Sequence, residues 1–335
     1  MNGSIKTSIV GGGSWGTAFA RLLARVGAET ELICRRPEQA AAINSSHRNP
    51  DYLRDIELPA SLNATSFEKN SLESADLAVI AIPSKAYRAV VDEVAATLNP
   101  EAAVLSLTKG LEPGTLKRLS EVLAEELPQP AASRILVLSG PNHAEEVALD
   151  IPTATTIASN DLELAAWLQQ LISTDSFRPY VNPDLIGVEL CAATKNVIAL
   201  AAGMSDGLGF GDNTKASLIT RGLAEMARLG DRFGADPQTF SGLAGMGDLI
   251  ATCTSRHSRN RMAGELIATG KTPAEAEADM GMVAEGLTSA ASVRDLAKAN
   301  GVEMPITEQV CAVIYEGKDV RKAVAELMAR APRPE

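Results

Sequence analysis

Lys195 stands where a lysine is hard to accommodate. It lies in Val188-Glu189-Leu190-Cys191-Ala192-Ala193-Thr194-Lys195-Asn196-Val197-Ile198-Ala199-Leu200-Ala201-Ala202-Gly203, a stretch largely of apolar or small residues. A helix of that composition is buried nearly all round. Its lysine must snorkel to solvent, pair with a carboxylate, or titrate low. Snorkelling and a chemical role account for it equally well. Asp248 follows Gly245-Met246-Gly247, so a turn can aim its carboxylate inward. The commoner use of such an Asp is to N-cap a helix, here one through Thr252. Ser255-Arg256-His257-Ser258-Arg259-Asn260-Arg261 gathers three arginines around Ser and Asn at a helix start. Helix N–H groups with arginine make a phosphate site. A solvated, charged helix start is the plainer reading.

These residues need a scaffold, and the chain supplies one from its first residues. Glycines fall as Gly11-x-Gly13-x-x-Gly16 between an apolar run, 5–10, and a helical pattern, 17–26. Gly11 permits a tight turn, Gly13 lets a pyrophosphate approach the backbone, and Gly16 lets helix and strand pack closely. With a strand before and a helix after, the loop reads as a dinucleotide site. The alternative is a glycine-rich turn with no ligand. About 20 residues on, an NAD site carries an acid for the ribose hydroxyls. Cys34-Arg35-Arg36 occupies that place. Two guanidinium groups suit a 2′-phosphate and no carboxylate stands among them, so NADPH is favoured and NADH is the second cofactor. A lysine such as Lys195, facing a nucleotide crevice, would donate a proton to a carbonyl under reduction.

Further strand patterns follow at 30–34, 76–82, 103–107 and 134–138, with helical patterns at 87–98 and 115–127 between them. Runs at 153–158 and 177–181 extend the same sheet. The polar stretch 36–71, with Pro50 and Pro59, reads as a helix and then an irregular excursion. Alternation of this kind gives an α/β fold, a Rossmann-like, doubly wound parallel sheet. Ligands bind such sheets outside the strands' carboxyl ends, where loops 11–16, 83–84, 108–110 and 139–144 collect. From Pro183 strand patterns stop and helical ones begin, at 185–203, 213–233, 258–268, 287–299, 306–315 and from 320. The expected division is a dinucleotide-binding domain, 1–182, and an all-α domain, 183–335, with a frayed tail.

The net charge of −11, with no Lys/Arg block, argues against nucleic-acid binding. Cys34, Cys191, Cys253 and Cys311 are too scattered for a CxxC site and read as reduced thiols in a cytoplasmic protein. The three histidines have no metal-ligand spacing, so no metal is expected. No uninterrupted apolar run approaches 18 residues, which argues against a membrane span. A strand from Ile5 leaves no room for a signal peptide. Apolar faces on the helical domain suggest a homodimer.

A series of motifs runs through the chain in one order. It comprises 11–18, Thr108-Lys109-Gly110-Leu111-Glu112, Ser139-Gly140-Pro141 and Asn182-Pro183-Asp184-Leu185-Ile186-Gly187-Val188-Glu189-Leu190. It continues with Lys195-Asn196-Val197-Ile198-Ala199, Gly203-Met204-Ser205-Asp206-Gly207, Leu218-Ile219-Thr220-Arg221-Gly222 and 245–248. Thr252-Cys253-Thr254, Ser258-Arg259-Asn260-Arg261 and Glu285-Gly286 complete it. By these motifs the chain resembles the bacterial-type NAD(P)-dependent glycerol-3-phosphate dehydrogenases over nearly its whole length. The resemblance implies reversible hydride transfer from NAD(P)H to dihydroxyacetone phosphate, giving sn-glycerol 3-phosphate for glycerophospholipid synthesis. It implies cofactor contacts at Gly11, Gly13, Ser14, Trp15, Gly16, Arg35, Arg36, Lys109, Ala144, Arg259, Val283 and Glu285. It implies substrate contacts at Lys109, Gly140, Asn142, Lys195, Asp248, Ser258, Arg259 and Asn260, with Lys195 as general acid/base. Asn142 departs from the Ser or Thr common in the family but keeps a polar side chain. The rival readings are a carboxylate-binding reductase of the 3-hydroxyacid or ketopantoate type, and a non-catalytic dinucleotide sensor.

Overall fold

The computed structural model describes residues 4–67 and 72–331. The end of the expected excursion, 68–71, and the tail, 332–335, lie outside the described residues. Two compact units emerge: residues through Glu112 with Lys117–Val188, and Pro113–Leu116 with Glu189 onward. They part inside a continuous helix, whereas the sequence reading divides the chain at Pro183.

The first unit carries one sheet of eight strands: β1 (Lys6–Val10), β2 (Glu29–Cys34), β3 (Asn63–Ser66), β4 (Leu77–Ile80), β5 (Ala103–Ser106), β6 (Ile135–Ser139), β7 (Thr153–Ala158) and β8 (Phe177–Asn182). Their order is β3-β2-β1-β4-β5-β6-β7-β8. The first six strands are parallel neighbours in the dinucleotide-binding order, with β2 and β3 added on one side of β1 and β4 to β6 on the other. β7 then pairs antiparallel with β6, and β8 parallel with β7. So the extension runs against the all-parallel expectation. β3 is an edge strand inside the stretch read as irregular; only Ala64 of Asn63–Ser66 is buried. It lacks the apolar alternation that marks a strand in sequence.

β4, β5 and β6 are buried at every residue, as strands covered on both faces must be. Helices α1 (Ser14–Arg25), α2 (Pro37–Ser46), α3 (Tyr87–Ala95), α4 (Leu119–Glu126), α5 (Ala144–Ala148) and α6 (Leu162–Ile172) connect the strands. Phe19 and Leu23 of α1 and Leu168 of α6 pack with Leu32, Val79, Leu105 and Leu136 on one face. Tyr87 and Val91 of α3 and Leu119 and Leu123 of α4 pack with Ile80 and Val104 on the other.

The second unit is helical: α7 (Leu185–Gly207), α8 (Asp212–Arg232), α9 (Pro237–Ser241), α10 (Asp248–Thr254), α11 (Arg259–Ala268), α12 (Pro273–Met280), α13 (Glu285–Ala299), α14 (Pro305–Glu316) and α15 (Val320–Met328). A single π-helical turn, Leu243–Gly247, runs directly into α10. α7, which begins in the first unit, is long and apolar enough to cross a bilayer by length and composition. Glu189 and Lys195 interrupt its apolar residues, so no uninterrupted run marks it in the sequence. Yet 94% of its most apolar window is buried inside the protein, the mark of a core helix. Gly203 and Gly264 bring α7 and α11 into backbone contact. A Cβ on Gly203 would lie 1.9 Å from the Arg261 carbonyl oxygen, and one on Gly264 would lie 2.1 Å from that of Leu200.

Candidate active site

The three glycines of the first loop differ in what demands them. Gly11 has φ +123°, and a Cβ there would lie 2.2 Å from the Ala81 carbonyl oxygen. A Cβ on Gly16 would lie 1.9 Å from the Gly11 carbonyl oxygen. The protein's own packing therefore fixes these two. A Cβ on Gly13 would meet no atom within 4 Å, and the backbone there is extended, with φ −79°. No packing requires glycine there; a ligand pressed against the backbone would. α1 begins at Ser14 with no side-chain cap and no acidic residue in its first turn. Loop and helix start together fit a dinucleotide pyrophosphate. Trp15 packs edge-on against Phe19, 5.8 Å between ring centroids, and also touches the cluster of Ala18, Ala144 and Ala148. That places Ala144, at the start of α5, beside the glycine loop.

After β2, Arg35 is exposed, while Arg36 forms an ion pair with Asp51. This corrects the expectation that no carboxylate stands among the arginines: the excursion after α2 returns Asp51 to Arg36. Cys34, beneath, is a buried thiol that desolvation pushes up to about 11, too high to ionise at neutral pH.

The other carboxyl-end loops of the sheet are knitted together. Thr108 Oγ1 donates to the Ile82 carbonyl at 2.8 Å. Lys109 Nζ donates to the Gly140 carbonyl at 3.3 Å and to Asn142 Oδ1 at 3.2 Å. Asn142 Nδ2 donates to Thr155 Oγ1 at 2.9 Å, and Thr155 Oγ1 to the Ser139 carbonyl at 3.0 Å. Lys109, Gly140 and Asn142 thus form one polar group. Thr155, which orients Asn142 from β7, was not anticipated, because a threonine in a strand carries no distinguishing signal.

In the helical unit Lys195 neither snorkels nor stands alone. Its ammonium pairs with Asp248 Oδ1 and donates to Thr252 Oγ1 at 2.8 Å. The two charged side chains are only 5% and 3% exposed. Asp248 is not an N-cap, since its φ −70° and ψ −34° are helical and the π turn precedes it without a break. A capping residue needs extended backbone. Thr252, four residues on, shares a helix face with Asp248. Its hydroxyl donates to the Asp248 carbonyl at 2.6 Å and so turns its oxygen toward Lys195. The sequence signal for Thr252 was that spacing of four. Cys253 beside the pair is a buried thiol pushed up to about 12, chiefly by desolvation.

Next to Lys195 on α7, Asn196 Oδ1 accepts from Asn260 Nδ2 at 2.9 Å. Asn260 Oδ1 accepts from the Gly286 N–H at 2.8 Å, which ties the starts of α11 and α13 to α7. Ser258 is the N-cap of α11, its Oγ accepting from the Arg261 N–H at 3.3 Å. The expected cluster of three arginines divides. Arg261 turns inward, donating to Asp206 at 2.7 Å and to the Ser255 carbonyl at 3.1 Å. Asp206 also pairs with Lys215 at 2.7 Å. Arg259 is exposed and makes no ion pair among the described residues. Val283 is exposed and Glu285 opens α13. The unit therefore presents a buried, charge-compensated ammonium on α7 and, at the start of α11, a guanidinium that makes no ion pair among the described residues.

A buried, charge-compensated lysine and a glycine loop shaped to fit a pyrophosphate occur on one chain, and comparison with known proteins identifies the family. Residues 6–165 match the family model described as NAD-dependent glycerol-3-phosphate dehydrogenase N-terminus, and residues 184–325 match its C-terminus. A glycerol-3-phosphate dehydrogenase [NAD(P)+] of Streptomyces griseus is 50% identical over 100% of this chain and 99% of its own. One of Bacillus pumilus is 47% identical over 97% and 94%. The crystal structure of glycerol-3-phosphate dehydrogenase from Coxiella burnetii superposes with a TM-score of 0.93 at 39% identity, covering 98% of this chain and 99% of that one. With both halves matched and full-length relatives at this level, the chain belongs to the NAD-dependent glycerol-3-phosphate dehydrogenase family.

Proposed function

We propose that the protein catalyses reversible hydride transfer between NAD(P)H and dihydroxyacetone phosphate, interconverting it with sn-glycerol 3-phosphate. The observation that carries this reading is the buried Lys195 ammonium held by Asp248 and Thr252. When bound, the reduced nicotinamide supplies the hydride. As negative charge grows on the substrate oxygen, Lys195 stabilises it and delivers its proton there. Positioned acid catalysis of this kind contributes about 10²–10⁴-fold. Asp248 compensates the ammonium and Thr252 sets its direction, so the donor is oriented before substrate arrives. Lys109, held by Gly140 and Asn142, adds a second positive charge. Arg259 and Asn260, at the start of α11, hold the substrate phosphate, and Ser258 keeps that helix end in shape. This anchoring fixes the carbonyl and raises the rate through orientation. By the family resemblance, Ser14, Trp15 and Ala144 would contact the dinucleotide together with the three glycines, as would Val283 and Glu285.

Arg35 and Arg36 favour NADPH, with NADH also used. A homodimer through exposed apolar residues of the helical unit such as Ile250 and Tyr315, a cytoplasmic location and a role in supplying glycerophospholipid synthesis belong to the same reading. Initial rates with dihydroxyacetone phosphate and with ketopantoate, using NADPH and NADH separately, test it. Turnover is expected with the phosphate ester alone; oxidation driven by ketopantoate instead would overturn the proposal.

A further inference from the structure

The excursion after α2 is anchored to the glycine loop. Asn49 is completely buried. Its Nδ2 donates to the Gly12 carbonyl at 3.0 Å and to Thr17 Oγ1 at 2.8 Å. Its Oδ1 accepts from Gln39 Nε2 at 3.1 Å and from the Asp51 N–H at 3.1 Å. Gln39 Nε2 also donates to the Gly12 carbonyl, at 2.8 Å. Two buried amides thus grip one carbonyl of the loop, and one of them fixes the backbone that carries Asp51. Asp51 in turn meets Arg36, with the two side chains 36% and 52% exposed. The pair stands at the carboxyl end of β2, where sheets of this order hold the adenosine ribose.

A guanidinium there attracts a 2′-phosphate. A carboxylate against it occupies part of the same fork, repels a dianion and can accept from a free 2′-hydroxyl. We propose that Asp51 is a specificity-determining residue for the dinucleotide. By pairing with Arg36 it offsets the pull of the two arginines on the 2′-phosphate, which leaves NADH competitive with NADPH. This rests on the cofactor reading given under Proposed function.

Asp51→Asn removes the charge and keeps the shape. One like charge at contact distance in a solvated place is worth about a factor of five. The variant should therefore raise the NADPH-over-NADH ratio of kcat/KM about five-fold. The change should appear in KM for the dinucleotides with kcat retained, and should shrink as salt is added. Alongside it, Arg35→Ala/Arg36→Ala should lower the same ratio. If the arginine variant lowers the ratio while Asp51→Asn leaves it unchanged or moves it toward NADH, Asp51 does not set specificity. If neither variant moves the ratio, the cofactor reading fails and takes this inference with it.

Discussion

Replacing Lys195 by methionine separates the chemical role of the lysine from its structural one. Methionine keeps an unbranched stem of similar bulk and lacks the ammonium. The change strands Asp248, whose side chain is 3% exposed, without its charge partner. Removing one member of a buried pair costs about 3–5 kcal/mol, because the remaining charge is uncompensated. Thr252 Oγ1, 3.3 Å from Asp248 Oδ1, offsets part of this, which puts the cost near 3 kcal/mol. For a unit of this size that lowers the thermal midpoint by roughly 6–12 °C. Turnover should fall by about 10²–10⁴-fold from the lost proton donor. In Lys195→Met/Asp248→Leu both charges are gone, and apolar replacement of a buried pair is neutral or better. The double variant should regain most of the thermal midpoint and none of the turnover. The assay pairs a thermal melt with kcat for dihydroxyacetone phosphate reduction. If turnover returns with stability in the double variant, Lys195 is a packing residue and the proton comes from elsewhere.

Three further outcomes follow from the geometry. Gly13→Ala should leave the thermal midpoint near its native value and raise KM for the dinucleotide, since the new methyl meets no protein atom within 4 Å, whereas Gly16→Ala, with a backbone oxygen 1.9 Å away, should lower both stability and binding; equal stability losses would mean that Gly13 serves the fold. Arg259→Lys should raise KM for dihydroxyacetone phosphate with little effect on stability, because a point charge does not replace a planar fork and the side chain is exposed; an unaltered KM would remove the phosphate contact. Glu225 is buried under the first turn of α14, accepting from the Ile306 N–H at 2.6 Å and from the Thr307 N–H at 3.2 Å. Burial pushes its carboxyl up to about 7 against those donors, from 4.5. Between these values the folded state keeps a proton that the unfolded chain releases, so stability falls as pH rises through that window, by on the order of 3 kcal/mol, and levels off above it. Thermal midpoints of Glu225→Gln between pH 5 and 8 should lack that component; a slope identical to the native protein's would refute it.

What could be read from the residues, and what could not, divides along the range of the interactions. Continuous apolar runs and the glycine spacing are local, and they mark β1, β4, β5 and β6 and the first loop directly. β3 was hidden because an edge strand with one buried residue, Ala64, leaves no periodic trace. The direction of β7 was hidden because pairing sense is set by the length and path of a connection, which composition does not record. Asp51 beside Arg36, Thr155 beside Asn142 and Asn49 beneath Gly12 depend on returns of the chain, and each involves a residue type common in any loop or strand.

The Ser255–Arg261 cluster carries the same lesson in reverse. Three arginines close in sequence invite a single anion site, but a helix start spreads successive residues around its axis. Arg259 at its first position is exposed and makes no ion pair among the described residues. Arg261, two residues on, is carried toward α7, where Asp206 takes its charge and the Ser255 carbonyl its Nε–H. Arg261 therefore braces the turn that presents Arg259 and Asn260, and its loss should disturb substrate binding only through that turn. Lys195 and Asp248 show the opposite case, 53 residues apart yet a single charge-compensated unit. A lysine in a largely apolar helix poses a physical problem for which pairing with a carboxylate is one of three solutions, but the residues alone did not name the carboxylate, since Asp248 reads more simply as an N-cap. Sequence is most informative about function where it places a group that the fold must go out of its way to accommodate.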